Sequence, residues 1–270
     1  KKALKKSVVP PDDQVVLNVD SSQIEARILV WLAGQEDVTT WFAEGRDTYC
    51  EFASKVYGRT ITKADAIERF VGKTCTLGLG FGTGWRKLQH TLKTSPPGQA
   101  LPDDECKRLV KVYRDLNHKV IGFWGACDRA LEHIANWPEG LEPYYLGEHR
   151  CVIVDRHGIK LPNGLYIYYP ELYYDTSEVK SVFVYKSRRG NVNIWGGAMT
   201  ENIVQALARI VIGEQMVAVN ARYRPALTVH DAIICVAPES EKDEALSFLM
   251  EEMGRPPEWA TELPIACEGD

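Results

Sequence analysis

The stretch Pro225–Pro238, PALTVHDAIICVAP, limits the possible folds more than any other. Leu227, Val229, Ile233, Ile234 and Val236 suit a pleated, half-buried surface, so the run reads as strand. His230 and Asp231 interrupt it. An unpaired carboxylate inside a core costs on the order of several kcal/mol after relaxation. The chain must therefore put two strands around His230–Asp231 and leave Asp231 facing something polar. A second short run, VVLNVD (15–20), also ends in a carboxylate, Asp20.

The 270 residues are 45% hydrophobic and 26% charged, which allows one large domain or two smaller ones with a real core. The longest apolar runs are interrupted well short of the about 18 residues that a membrane span needs, so no membrane association is expected. The opening KKALKKSVVPPDD is basic but lacks the apolar segment of a secretory signal. The seven cysteines contain no CxxC pair, which points to reduced thiols, a cytoplasmic location and no structural zinc. A net charge of −5 argues against a nucleic-acid binder when taken alone. Charge is local, however. Lys1, Lys2, Lys5 and Lys6 cluster at the start, and Lys180, Lys186, Arg188 and Arg189 cluster later, as solvated surface or as phosphate contacts. Acidic groups that hold metal also lower the net charge without opposing a basic cleft elsewhere.

Along the chain, SSQIEARILVWLAG has helical spacing, with Ile24, Ile28 and Leu32 on one side, a Ser22–Glu25 capping box and Gly34 as terminator. Asp47 to Tyr57 reads as helix, and Thr62 is the expected N-cap of the helix that follows. Residues 95–104 form a loop, and 105–137 form one or two amphipathic helices. Residues 151–195 alternate in short pieces broken by turn residues, as hairpins do. A long helix follows with Thr200 as its expected cap, then the two strands around Asp231, a helix within 240–253 and an irregular tail. The order predicts an α+β fold, with an antiparallel sheet and a helical insertion.

Two constellations bear chemistry. Asp20 and Asp231, if brought together, repel unless a cation lies between them. Magnesium suits such a site because it takes hard oxygen ligands. The alternative is two unrelated surface or capping aspartates. The second constellation lies in ERFVGKTCTLGLGFG, where Arg69, Lys73 and Leu77 at i, i+4 and i+8 share one helix face. Two cations and an apolar residue match a nucleotide, with triphosphate at the charges and base against the leucine. The alternative is a solvated basic edge. Gly72, Gly78 and Gly80 each cost a helix up to about 1 kcal/mol relative to Ala, so something must approach that backbone closely.

These pieces resemble family A DNA polymerases, the group containing bacterial DNA polymerase I. Asp20-Ser-Ser-Gln-Ile-Glu25-Ala-Arg27 is similar to their first motif. Arg69-x3-Lys73-x3-Leu77-Gly78-x2-Phe81-Gly82 is similar to their fingers helix, and Val229-His230-Asp231 to their third motif. GGAMTENIVQALAR and the tail GRPPEWATELPIACE have the look of phage members, and the resemblance runs over 14–267. It implies a palm, an antiparallel sheet with packed helices, and an inserted helical fingers subdomain. Residues 1–34 would form the first part of the palm, 35–150 the fingers and 151–270 the second part of the palm. Thumb and exonuclease domains are not expected within this chain.

The implied reaction is template-directed addition of dNTPs to a primer 3′ end, with DNA and other replication proteins as partners, in the host cytoplasm if the source is viral. Asp20, Asp231 and the Ser21 carbonyl would hold two Mg²⁺. Arg69 and Lys73 would neutralise the triphosphate, Lys73 also protonating the leaving group, and Leu77 would pack on the incoming base. Glu25 with Phe81 would crowd the sugar 2′ position. His230 would lie near the primer terminus, and Gln205 and Arg209 would track template or primer. Departures from the pattern are Leu77 where Phe or Tyr is frequent, Phe81 where Tyr is common, Ala232 where many members have Glu, and Tyr49 where His can touch the triphosphate. A polymerase-like module that only binds nucleic acid, a single-subunit RNA polymerase and a two-metal nuclease are the competing readings. Glu25 favours DNA synthesis among them, and a nuclease would not need the Arg69–Lys73–Leu77 face.

Overall fold

A computed structural model describes residues 9–177 and 181–270. Lys1, Lys2, Lys5, Lys6 and Lys180, singled out above, lie outside the described residues. Strand β1 (Gln14–Ser21) is followed by helices α1 (Ile24–Leu32), α2 (Glu36–Ala43), α3 (Thr48–Tyr57), α4 (Ala66–Leu79), α5 (Trp85–Thr94), α6 (Asp103–Leu116) and α7 (His118–Ala135). Next come β2 (Tyr144–Tyr145), β3 (Ile153–Asp155), β4 (Gly158–Lys160), β5 (Tyr166–Ile167), β6 (Tyr173–Asp175), β7 (Val182–Ser187) and β8 (Gly190–Ile194). The chain closes with α8 (Gly196–Val219), β9 (Pro225–Val229), β10 (Ala232–Pro238), α9 (Lys242–Met253) and β11 (Cys267–Gly269). Antiparallel sheets and segregated helices make this the expected α+β class.

Two compact units result, one of Lys1–Glu25 with Ala206–Asp270 and one of Ala26–Gln205. These packing boundaries are a different division from the subdomain limits expected at 34/35 and 150/151. The first unit is a four-stranded antiparallel sheet in the order β11-β1-β10-β9. Leu17 and Val19 of β1 alternate into a core with Ile233, Cys235, Ile212, Leu249 and Met253. Each such burial stabilises by roughly 1.5–3 kcal/mol. The same period of two turns Asp20 to the other face, where it is exposed. The tail is less irregular than expected, because Cys267–Gly269 pairs antiparallel with β1 at its edge. Three residues are too short a run to show alternation.

In the second unit Asp47 caps α3, its carboxylate accepting from the backbone N–H groups of Tyr49 and Cys50 at 3.1 Å each. Val71, Cys75 and Leu79 of α4 bury one face among Phe52, Leu88, Leu92, Leu109 and Tyr113. Arg69, Lys73 and Leu77 fall on the remaining face. Thr62 does not cap this helix. It begins at Ala66, and the Asp65 carboxylate turns back to accept from the Thr62 N–H and hydroxyl at 2.9 and 3.1 Å. Thr200 is no cap either. Helix α8 starts four residues earlier, Thr200 is buried, and its hydroxyl donates to the Gly196 carbonyl at 2.8 Å. The Gly196 N–H is instead met by the Asp128 carboxylate of α7 at 2.5 Å, a partner far away in sequence.

The seven cysteines are unpaired. Among the described residues, α8 is long and apolar enough to cross a membrane by length and composition, but half of its apolar window is buried inside the protein.

Candidate active site

In the first unit, β9 and β10 form a hairpin closed by the pair Val229↔Ala232, so His230 and Asp231 are its two-residue turn. This resolves the conflict in PALTVHDAIICVAP: the polar pair stands at a tip and not in the core. His230 adopts φ +58°, a left-handed conformation uncommon for a residue with a Cβ, in a turn position that usually takes glycine. The register Asp20↔Ala232 sets Asp20 next to the turn, and the Ser21 N–H donates to the Asp231 carbonyl at 3.1 Å. Directly opposed Cα atoms in antiparallel pairs are about 4.5–5.5 Å apart. Asp231 is one residue before Ala232, the partner of Asp20, so the register brings two stretches of backbone that carry these aspartates, distant in sequence, side by side. Glu25 lies exposed in the first turn of α1. Among the described residues no group of three or more His, Cys, Asp or Glu forms a metal cluster. The candidate donors here are the Asp20 and Asp231 carboxylates and the Ser21 backbone carbonyl.

In the second unit, Tyr49 is buried beneath the cationic face of α4. The Arg69 guanidinium lies 5.4 Å and the Lys73 Nζ 5.9 Å from its ring centroid. Burial pushes the Tyr49 hydroxyl up to about 12, against the opposing charge of Arg69. Arg69 is held by Asp47, its Nε and a terminal nitrogen both 2.8 Å from one carboxylate oxygen. Burial raises the Asp47 pKa, but the Arg69 hydrogen bond, the Cys50 and Tyr49 N–H groups and the Arg69 charge outweigh it and hold the carboxyl below its usual range. Burial lowers Arg69 in turn, and the Asp47 hydrogen bond and charge more than restore it. Lys73 is exposed. Arg27 of the first motif is buried and stacks over the Phe42 ring at 4.6 Å, and desolvation lowers its pKa.

Leu77, Gly78 and Phe81 line a cavity of about 480 Å³ together with Lys87, Trp195 and Glu201. The glycines of this segment differ in what they admit. A Cβ on Gly72 would lie 2.3 Å from the Tyr49 carbonyl oxygen, and one on Gly80 2.6 Å from a Leu29 methyl. Both therefore make room for the protein itself. Gly78 has nothing within 4 Å of its Cβ position and opens toward the cavity. Gln205 and Arg209 are both exposed, one turn apart on α8, and the Gln205 amide donates to Glu201 at 3.4 Å.

Sequence reasoning missed Asp47 and Trp195. The capping pattern Asp47-Thr-Tyr was visible, but a cap does not reveal a second partner 22 residues on. Trp195 touches the positions of both Gly82 and Gly197, where a Cβ would come within 2.0 and 2.3 Å of its ring. Paired glycines around a tryptophan were the available signal.

A family model described as DNA polymerase family A matches residues 1–135. The chain is similar to a DNA polymerase of Bacillus phage SP02, 30% identical, over 97% of this chain and 41% of the relative. It is also similar to the thermostable DNA polymerase I of Thermus aquaticus, 26% identical, over 93% of this chain and 26% of the relative. Among solved structures it resembles the POL domain of Pol1 from M. smegmatis, in a complex with DNA primer-template and dNTP. That likeness has a TM-score of 0.64 at 17% identity, covering 97% of this chain and 40% of that one, and concerns the fold. The chain thus spans less than half the length of these relatives.

Proposed function

The chain belongs to DNA polymerase family A, whose model spans half of it, and from that premise we propose that it carries the nucleotidyl-transfer site of a template-directed DNA polymerase. The observation that supports the reading is the backbone register that sets Asp20 of β1 beside the β9–β10 turn holding Asp231, with the Ser21 N–H bonded to the Asp231 carbonyl. The donor set fits magnesium: two carboxylates on rigid backbone, one carbonyl, all hard oxygens, with Asp20 exposed so that bound waters can remain. When bound, two Mg²⁺ supply a lowered pKa at the primer hydroxyl and charge compensation for the leaving pyrophosphate.

The protein's own residues do the rest. Arg69 and Lys73 neutralise the triphosphate, Arg69 as a fork and Lys73 as a point charge that also protonates the leaving group. Leu77 offers apolar surface to the incoming base, where an aromatic residue would stack more strongly. Glu25 and Phe81 exclude the ribose 2′-hydroxyl. Tyr49 braces the two cations, its buried ring beneath them. The turn strain at His230 suits a residue held against the primer terminus. Gln205 and Arg209 face the template–primer.

The test is primer extension by the intact protein with Mg²⁺ and either dNTPs or rNTPs. Extension with dNTPs is expected, and Glu25→Ala should raise ribonucleotide insertion. Template binding without any incorporation would make this a non-catalytic module, and a preference for rNTPs would make it an RNA polymerase.

A further inference from the structure

Between the cavity helices and α8 lies a segment to which the proposed reaction gives no task. Residues 151–195 hold six of the chain's 12 tyrosines, and six Lys or Arg against four Asp or Glu, while the whole chain is at −5. The described residues of this segment supply strands β3 to β8 of two small antiparallel sheets, β2-β3-β4-β5 and β6-β7-β8, both within the second unit, and their exposed aromatic and basic side chains form a surface. Tyr166 and Tyr168 stack at 5.4 Å and 20°, and Tyr168 remains 59% exposed. Lys160 is the register partner of Tyr166, and His157 meets the Tyr166 ring edge-on at 6.5 Å. The sheets are joined: the Lys186 N–H donates to the Pro170 carbonyl at 2.8 Å, and Tyr169 packs edge-on against Tyr185 at 5.3 Å. Tyr173 and Tyr174 of β6 are also about half exposed, at 45% and 53%. Arg188 and Arg189 stand at the exposed β7–β8 turn.

We propose that this surface binds single-stranded nucleic acid, the tyrosines stacking unpaired bases and Arg156, Lys160, Arg188 and Arg189 meeting the phosphates. A hydrophobic partner protein would need apolar area without this excess of cations. A duplex hides its base faces and leaves exposed rings without a partner. Stacking platforms bordered by positive charge are what a single strand requires. The surface has its own limits. Glu171 pairs with Lys186 at 3.0 Å, and Asp155 accepts from the Tyr166 hydroxyl at 2.6 Å. Tyr166 is thereby tied to its hairpin, whereas Tyr168 is the ring with a free exposed body. The inference adds a binding site to the proposed polymerase reading and is measurable without it.

The experiment uses the intact protein and a fluorescein-labelled oligothymidylate, with binding read by anisotropy at several salt concentrations. Tyr168→Ala should weaken binding about tenfold, within the range for loss of one stacked base. Tyr168→Phe should restore it. Arg188→Ala with Arg189→Ala should flatten the salt dependence by about 1.4 units of slope, two single-strand phosphate contacts' worth. Equal affinity of wild type and Tyr168→Ala, or equal competition by blunt duplex, would overturn the proposal, as would absence of saturable binding. Primer extension on a template with a minimal overhang should be unaffected by Tyr168→Ala. If extension fails altogether while oligothymidylate binding follows the tyrosine, the polymerase reading falls and this one stands.

Discussion

Asp20 and Asp231 stand on a sheet, whereas Arg69 and Lys73 stand on a helix, and the two pairs are therefore held by different means. Seven register pairs from Gln14↔Pro238 to Asp20↔Ala232 bind β1 to β10. A slip of one residue would turn Leu17 and Val19 out of the core and Asp20 into it. The register thus fixes the backbone that carries Asp20 and borders the Asp231 turn. The helix fixes only spacing. Arg69 takes its final orientation from a side-chain partner, Asp47, and from the Tyr49 ring, and Lys73 has that ring at 5.9 Å. The acidic half should therefore tolerate little chemical change yet lose no stability, while the cationic half should couple function to local packing.

The largest expected effect follows from the acidic side. Asp231→Asn keeps the turn but halves the anionic charge of the pair. Primer extension should fall by about 10³-fold or more, as loss of several kcal/mol of charge stabilisation requires. Its melting free energy should stay within about 0.5 kcal/mol of wild type, as for a surface substitution. Turnover near the wild-type rate would remove Asp231 from the metal site. Lys73→Ala comes next. It should raise the KM for dNTP about 10- to 100-fold, the value of a charge-assisted hydrogen bond, with duplex affinity unchanged. A loss confined to duplex affinity would transfer Lys73 from nucleotide to DNA.

The sheet half was readable from sequence because its signals are local. VVLNVD and PALTVHDAIICVAP each carry an apolar run and a misplaced carboxylate; strand alternation explains Asp20 and turn chemistry explains Asp231. What escaped was non-local. The Gly196 N–H is satisfied by Asp128, 68 residues earlier, a partner that the local cap pattern at Thr200 does not reveal. Thr62 and Asp65 bond to each other, so neither serves the helix as its cap pattern implied. The three glycines around Arg69–Leu77 looked alike in sequence, and only packing separates them. That separation can be measured. Gly72→Ala should destabilise by about 1–3 kcal/mol by forcing α3 and α4 apart. Gly78→Ala meets open space and should be neutral or stabilise by up to about 1 kcal/mol. If Gly78→Ala is stable but impairs extension, the cavity holds substrate or template. Equal destabilisation by both would refute the distinction.

The smallest effect probes how the helix half is positioned. Asp47→Asn keeps a capping oxygen but removes the charge that holds Arg69. The folded carboxyl titrates below its usual range, so its contribution is fully present above the unfolded value of about 3.9 and is lost as pH falls through the folded value. The wild type should therefore exceed the variant by at most about 1 kcal/mol near neutrality, since the pair is partly exposed. That gap should close below about pH 4, a trend that urea titrations at several pH values can resolve. Activity decides what the pair is for. If Asp47 orients Arg69 toward the nucleotide, the variant's KM for dNTP rises severalfold with kcat unchanged. If KM falls instead, Asp47 competes with the triphosphate for Arg69, and the cationic face is restrained rather than preorganised by its partner. For Asp20 the comparable constraint is the backbone register of β1 with β10, which a side-chain substitution leaves in place.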